Sequence, residues 1–340
     1  MGLLALGIAL AKVVVVFVCL LLCVAYSTWL ERKVLGHMQV RCGPLRVGWH
    51  GLLQPIADGI KLFFKEDIVV TSANKFIYVL APMIVMIAAC ASIAVVPFGE
   101  HIDLFGQKIY LRIADVDIGV LYIFALSSLS VYGITLAGWA SNSKYALLGG
   151  VRATAQMISY ELAAGLTIIA VFMLSETLSM REIVALQQQP LWGVIDFLPN
   201  WYVFTQPLAF CLFIITGLAE INRTPFDMPE AESELVSGFC TEYSSMKYAL
   251  FFMAEYANMI VIAAITSTLF LGGWSGPLPQ AFGVVNILGK VIAIMFFFIW
   301  LRATLPRVRY DQLMQLGWKI LIPLALANLA VTGVVVILQQ

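Results

Sequence analysis

Polar residues are sparse along stretches of this chain and gather in clusters between them. Continuous apolar runs cover 3–30, 76–98, 118–139, 153–174, 204–221, 248–271, 284–301 and 320–338. About 20 apolar residues let a helix cross a bilayer, whereas a barrel strand needs only about ten, with alternating polarity. These runs do not alternate, so the pattern predicts eight transmembrane helices and an all-α polytopic membrane protein. The whole chain, 1–340, reads as a single membrane domain with an acidic loop over 222–247. The opening run is longer than a signal core of about 7 to 15 residues and follows no charged segment, so we expect it to stay in the mature protein. At about 1.5 Å per residue it exceeds a hydrocarbon core of about 30 Å and should tilt or protrude. No internal repeat is evident, which weakens the reading of a transporter built from two related halves.

Two segments between the runs carry their own periodicity. In "GWHGLLQPIADGIKLFFKED" the residues Gln54, Asp58, Lys61 and Lys65 share one helical face, while Leu52, Leu53, Ile56, Ile60, Phe63 and Phe64 occupy the others. That is an amphipathic helix for the membrane interface, and a plain surface anchor accounts for it equally well. In "EINRTPFDMPEAESELVSGF", Asp227 precedes Glu230 at capping-box spacing, Pro229 suits a first turn and Gly238 can end a helix, which predicts a short helix over about 228–237. Glu230 and Glu234 would then repel at i and i+4, so stability alone does not select the pair. A solvated loop with freely ionised carboxylates is the alternative.

Composition agrees with the pattern: 61% of residues are hydrophobic and 12% charged, with a mean hydropathy of +0.92. The formal net charge is zero, which argues against nucleic acid as a partner. The distribution of charge says more. Arg32, Lys33, Arg41, Arg46, Lys61, Lys65, Lys75, Lys144, Arg152, Arg302, Arg307, Arg309 and Lys319 fall in alternate loops, and the opposite loops hold only Lys108, Arg112 and Arg181. The positive-inside rule makes the basic loops cytoplasmic and puts both termini outside. The six cysteines and three histidines form no CxxC or Cys/His set, so we expect no metal, haem or iron–sulfur cluster bound by this chain alone. There is no GxGxxG or P-loop either, hence no visible nucleotide site.

Against this background the intramembrane carboxylates stand out. Glu161 lies nine residues past Arg152, which carries it about 13 Å inward along a helix. Glu255 lies at similar depth from Lys247, and Lys12 and Lys290 also fall inside runs. Ionisable groups there are costly and normally face a polar interior or a proton route, although a neutral carboxyl bonded to a tyrosine or backbone group would also survive. Glu220 ends the fifth run, so Asp227, Glu230, Glu232 and Glu234 can mark an entrance, Glu220 a neck, and Glu161 and Glu255 the interior. Burial and mutual repulsion would move such carboxyls toward neutral-pH proton exchange.

Four long motifs now identify a family. "ERKVLGHMQVRCGPLRVGWHGLLQPIADGIKLFFKED", "GWASNSKYALLGGVRATAQMISYE", "EINRTPFDMPEAESELVSGFCTEYSSMKYALFFMAEY" and "RATLPRVRYDQLM" occur in that order. They resemble the membrane subunit of proton-pumping NADH-quinone oxidoreductase, respiratory complex I, called the H subunit in bacteria and subunit 1 in mitochondria. The resemblance covers essentially the whole chain. It implies a multi-pass protein of the bacterial inner membrane that joins a redox arm to a membrane arm and forms much of the chamber where ubiquinone or menaquinone is reduced. FMN and iron–sulfur clusters would reside in partner subunits, and the full active site would not lie in this chain alone. The acidic loop would line the chamber and couple quinone chemistry to proton movement, with Glu161, Glu220 and Glu255 continuing inward. Quinone entry between the first run and the amphipathic helix would use Trp29, Trp49, Phe63 and Phe64 as apolar surface, Arg32, Arg41 and Arg46 as fixed positive charge, and Asp58 beside them. A homologous component of membrane-bound hydrogenases or ferredoxin-linked complexes is the nearest rival, and a stand-alone ion transporter the distant one.

Overall fold

The computed structural model describes residues 3–104, 107–191, 195–228, 236–276, 279 and 282–339. Its principal helices are α1 (Leu3–Met38), α2 (Gln54–Phe64), α3 (Lys75–Ser92), α4 (Gly119–Ala140), α5 (Lys144–Ser175), α6 (Met180–Gln187), α7 (Tyr202–Thr205), α8 (Pro207–Glu220), α9 (Ser245–Phe270), α10 (Gly283–Thr304), α11 (Tyr310–Gln315) and α12 (Ile322–Gln339). A π-helical segment, Leu316–Leu321, joins α11 to α12. Among the described residues, seven helical stretches are long and apolar enough to cross a membrane, beginning with Gly7–Met38 and ending with Tyr310–Leu338. The expected all-α membrane architecture is present, with two short antiparallel hairpins added. His101–Leu104 pairs with Gln107–Tyr110, and Pro190–Leu191 with Ile195–Pro199. Both hairpins fall in loops that the charge pattern assigns to the outer side.

The fifth apolar run behaves differently from the others. It gives a helix of 14 residues, α8, rather than one continuous span from 204. Pro207 lacks an N–H and its ring disfavours helical backbone at the preceding residue, so the chain breaks at Gln206, which sits at φ −131° and ψ 56°. The break is tied down from outside: the buried Gln206 amide donates to Thr332 Oγ1 at 2.8 Å and accepts from Asn328 Nδ2 at 3.1 Å, both on α12.

α9 is buried around almost its whole circumference and forms the axis of the bundle. Against it lie α3, α10 and the inner face of α1, where Leu20, Val24, Ser27 and Glu31 recur at helical spacing. α1 runs to Met38, beyond the end of its apolar run at Leu30, and its 36 residues would measure about 54 Å. The end of the acidic loop is fixed by close approach. Gly238 has φ +53°, and a Cβ on Gly149 of α5 would lie 2.6 Å from Gly238 Cα, so neither position accommodates a side chain. The π-helical segment and α11 pack on α5 through Trp318 Nε1, which donates to Ser159 Oγ at 3.2 Å, and Tyr160, whose hydroxyl donates to Leu313 O at 2.9 Å.

Most of the short helix expected over 228–237 lies outside the described residues, as do Glu230, Glu232 and Glu234.

Candidate functional site

A buried charge network gathers four elements. Glu31, first residue past the apolar run of α1, is 4% exposed, and Arg223, three residues after α8 ends, is 6% exposed. These numbers matter because an ion pair sealed from water is stable only if each charge is matched and hydrogen-bonded. Arg223 Nη1 donates to Glu31 Oε1 at 3.0 Å and Oε2 at 3.2 Å, while its Nε faces the Glu255 carboxylate on α9. Arg302, in the last turn of α10, also pairs with Glu31 Oε1, and the Tyr256 hydroxyl donates to Glu31 Oε2 at 2.8 Å. The Arg223 guanidinium stacks 4.3 Å above the Tyr256 ring, which adds cation–π attraction. Two carboxylates thus meet two guanidiniums. Burial pulls against the Arg223 charge, but Glu255, Tyr256 and Glu31 outweigh it and hold the guanidinium well above its usual range, so it is a fixed cation.

Next to this network stands a pair of carboxylates held by adjacent hydroxyls. Ser128 of α4 donates to Glu161 Oε1 of α5 at 2.5 Å, and Ser127 donates to Glu220 Oε1 at the end of α8. Consecutive helical residues point about 100° apart, which lets one turn of α4 reach two neighbouring helices.

Two cavities connect these groups. One is lined by Asp227, Glu255, Glu220, Asn258 and the aromatic rings of Tyr248, Phe251 and Phe252. The other is bounded by Glu220, Asn258, Ser127, Ser130 and Ser92 among apolar side chains. Glu220 lies on both. Of the carboxylates singled out in the sequence, Asp227, Glu255 and Glu220 therefore share one cavity, and Glu161 joins them through the Ser127–Ser128 step. The arrangement offers titratable groups in hydrogen-bonding range of hydroxyls, inside an otherwise oily bundle, which is what passing protons between carboxylates needs.

The residues expected around a quinone entrance form a separate region. Arg32, next to Glu31, points the other way and pairs with Asp58 of α2 at 2.5 Å, and Gln54 Nε2 donates to Asp58 Oδ1 at 3.0 Å. Trp29 Nε1 donates to His50 O at 3.2 Å. Trp49, Phe63 and Phe64 are exposed, Phe64 to 81%, and Arg41 spends its Nε on Gln39 Oε1 at 2.6 Å; Arg46 is exposed as well. Among the described residues none of these eight lines either cavity. What joins the two regions is one turn of α1, with Glu31 in the network and Arg32 on α2.

Sequence reasoning missed Glu31, Arg223, Tyr256 and Arg302 as a unit, and Ser127 and Ser128 as the hydroxyls behind the carboxylates. Glu31 reads as the first residue of a cytoplasmic loop, and only its place at the edge of an apolar run hinted otherwise. Lys290, noted as an intramembrane cation, serves a local purpose: its ammonium donates to Leu271 O, Gly273 O at 2.9 Å and Ser275 O, closing the carbonyl end of α9.

The family model described as NADH dehydrogenase matches residues 11–333. Among curated relatives named as the H subunit of NADH-quinone oxidoreductase, the first of the Geobacter sulfurreducens proteins so named is 62% identical over 343 residues, covering 97% of this chain and 95% of the relative. The second of those in Geobacter metallireducens is 61% identical over 338 residues, covering 96% and 94%. The one in Thermomicrobium roseum is 53% identical over 311 residues, covering 92% and 91%. With matches of that extent behind the seven membrane-length helices and the buried carboxylates, the chain belongs to the NADH dehydrogenase family.

Proposed function

We propose that this chain is the H-type membrane subunit of a bacterial proton-translocating NADH-quinone oxidoreductase, forming much of the quinone chamber and carrying protons from it. The supporting observation is the group of carboxylates Asp227, Glu255 and Glu220 around one cavity, which meets a second at Glu220, with Glu161 tied to Glu220 through the adjacent Ser128 and Ser127. The relatives' names favour quinone chemistry over a hydrogenase reading. The other subunits of the complex would be its partners, with FMN and iron–sulfur clusters in the hydrophilic ones, and ubiquinone or menaquinone its substrate. In its host it would sit in the inner membrane, among lipids.

Reducing a quinone to a quinol consumes two electrons and two protons, so negative charge develops on the headgroup before protonation is complete. Arg32, Arg41 and Arg46 offer fixed positive charge to that anion. A change of charge near Arg32 would reach Glu31 through the same turn of α1, and Glu31 shares Arg223 with Glu255. Weakening the hold of Arg223 on Glu255 makes that carboxylate a better proton acceptor. Glu230, Glu232 and Glu234 would gather protons at the cytoplasmic mouth. A photoreactive quinone bound to the assembled complex is expected to label peptides between Trp29 and Lys65; labelling confined to other segments would overturn this placement of the entrance.

The eight-span topology, with both termini outside, belongs to the same proposal, α7 and α8 together serving as the fifth span. With the six native cysteines replaced, single cysteines near Lys144 and near Gly276 are expected to react with impermeant reagent from opposite faces of the membrane. Reaction of both from one face would sink the topology.

A further inference from the structure

The two cavities have three lining residues in common: Met157, Glu220 and Asn258. Met157 is apolar and buried, and Glu220 is held by Ser127. Asn258 is the remaining member of the partition, and among the described residues its side-chain amide has no protein hydrogen-bond partner. An amide carries two donor hydrogens and an accepting oxygen, and leaving them unmet in an apolar interior is costly. Both spaces it faces are large enough to hold water, and both contain the Glu220 carboxyl, a polar anchor of the kind internal water requires. Asn258 also follows Glu255 by three residues on α9, about one turn and 4.5 Å along the axis. It therefore lines the same cavity as the carboxylate bound to Arg223 and the carboxylate bound to Ser127.

We propose that Asn258 is a positioning residue for proton transfer, holding the water molecule that joins Glu255 to Glu220 within the cavity they share, at its border with the second cavity. The inference rests on the reading of these carboxylates as a proton path. In the step, the amide N–H donates to one lone pair of the water oxygen and the protonated Glu255 donates to the other. The water takes the proton from Glu255 and releases one of its own to the Glu220 carboxylate. Water is regenerated, Glu255 returns to the carboxylate that Arg223 binds, and Glu220 is left neutral. The amide gains and loses nothing. Its contribution is placement, since a water with no fixed donor beside it is seldom in line with both carboxyls.

The test uses the assembled complex with Asn258→Leu, which keeps the branched shape but cannot hold water, and Asn258→Ser, whose hydroxyl can. Quinone-dependent NADH oxidation and vesicle acidification are measured in H₂O and in D₂O, with Glu220→Gln in parallel. For Asn258→Leu we expect a fall of about a hundredfold in both rates, the scale on which misplacing a reacting group is felt, and a larger H₂O/D₂O rate ratio. Asn258→Ser should recover a substantial part of the rate and the original ratio. A residue that merely packs would leave the ratio unchanged and gain nothing from serine. Full rates in Asn258→Leu while Glu220→Gln is impaired would overturn the role of Asn258 and spare the carboxylate path. Full rates in Glu220→Gln would remove the path, and this proposal with it. If Asn258→Leu fails to assemble, Asn258→Ser decides: an unchanged ratio at reduced rate overturns the proposal, and a recovered rate upholds it.

Discussion

Arg223→Met is expected to prevent normal accumulation of the complex, because removing one partner of a buried ion pair costs about 3 to 5 kcal/mol. Methionine fills much of the same space, so the loss would come from charge. Glu31, 4% exposed, would keep only Arg302 and the Tyr256 hydroxyl, and Glu255 would lose the guanidinium it faces. A native protein stabilised by about 5 to 15 kcal/mol does not absorb that readily. Arg223→Lys should fall between the two. An ammonium keeps the charge but is a single point, and cannot address Glu31 through Nη1 and Glu255 through Nε at once. The measurement is the yield of assembled complex in mild detergent, with the thermal midpoint of whatever assembles. Wild-type yield and midpoint for Arg223→Met would show that the four charges are not mutually dependent.

Apolar runs located the long helices because lipid imposes a minimum length and excludes charge. The ends of those helices obey other forces. α1 continues from Leu30 to Met38 and α5 begins at Lys144, well before the apolar run at 153. Beyond the lipid a helix persists where its side chains find partners, and Glu31 finds one 192 positions away in Arg223. No local pattern reports such a contact. Pro207 could be read directly as a helix break, but the pinning of Gln206 by Thr332 and Asn328 needed the tertiary structure.

The candidate site was legible in the same uneven way. Carboxylates are conspicuous in an oily chain, so Glu161, Glu220, Glu255 and Asp227 were recognisable before any fold. Ser127 and Ser128 were not, since small hydroxyl residues are ordinary at helix contacts. Their meaning depends on which neighbours α4 meets. α2 was legible from its periodicity, and its pairing with α1 through Arg32 and Asp58 was not, because a salt bridge between two half-exposed side chains leaves no trace in either segment alone.

Glu161→Gln and Glu220→Gln are expected to assemble and to lose about a hundredfold or more of coupled turnover, on the scale of removing a proton-transfer group. Glutamine keeps the shape, and its carbonyl oxygen can still accept from Ser128 or Ser127. What it cannot do is take up and release a proton. The structure separates Glu255 from these two. Its carboxylate neutralises part of Arg223, so Glu255→Gln should lower both turnover and thermal stability, whereas the other two should lower turnover alone. Glu232→Gln by itself should do least, because the carboxylates beside it in sequence, Glu230 and Glu234, can replace it. Quinone-dependent NADH oxidation and vesicle acidification, each normalised to assembled complex, provide the readout. Because reduction and pumping are coupled, both rates should fall together. If Glu161→Gln and Glu220→Gln assemble and keep full rates of both, the serine-held carboxylates are structural, and protons take a route that avoids the two cavities.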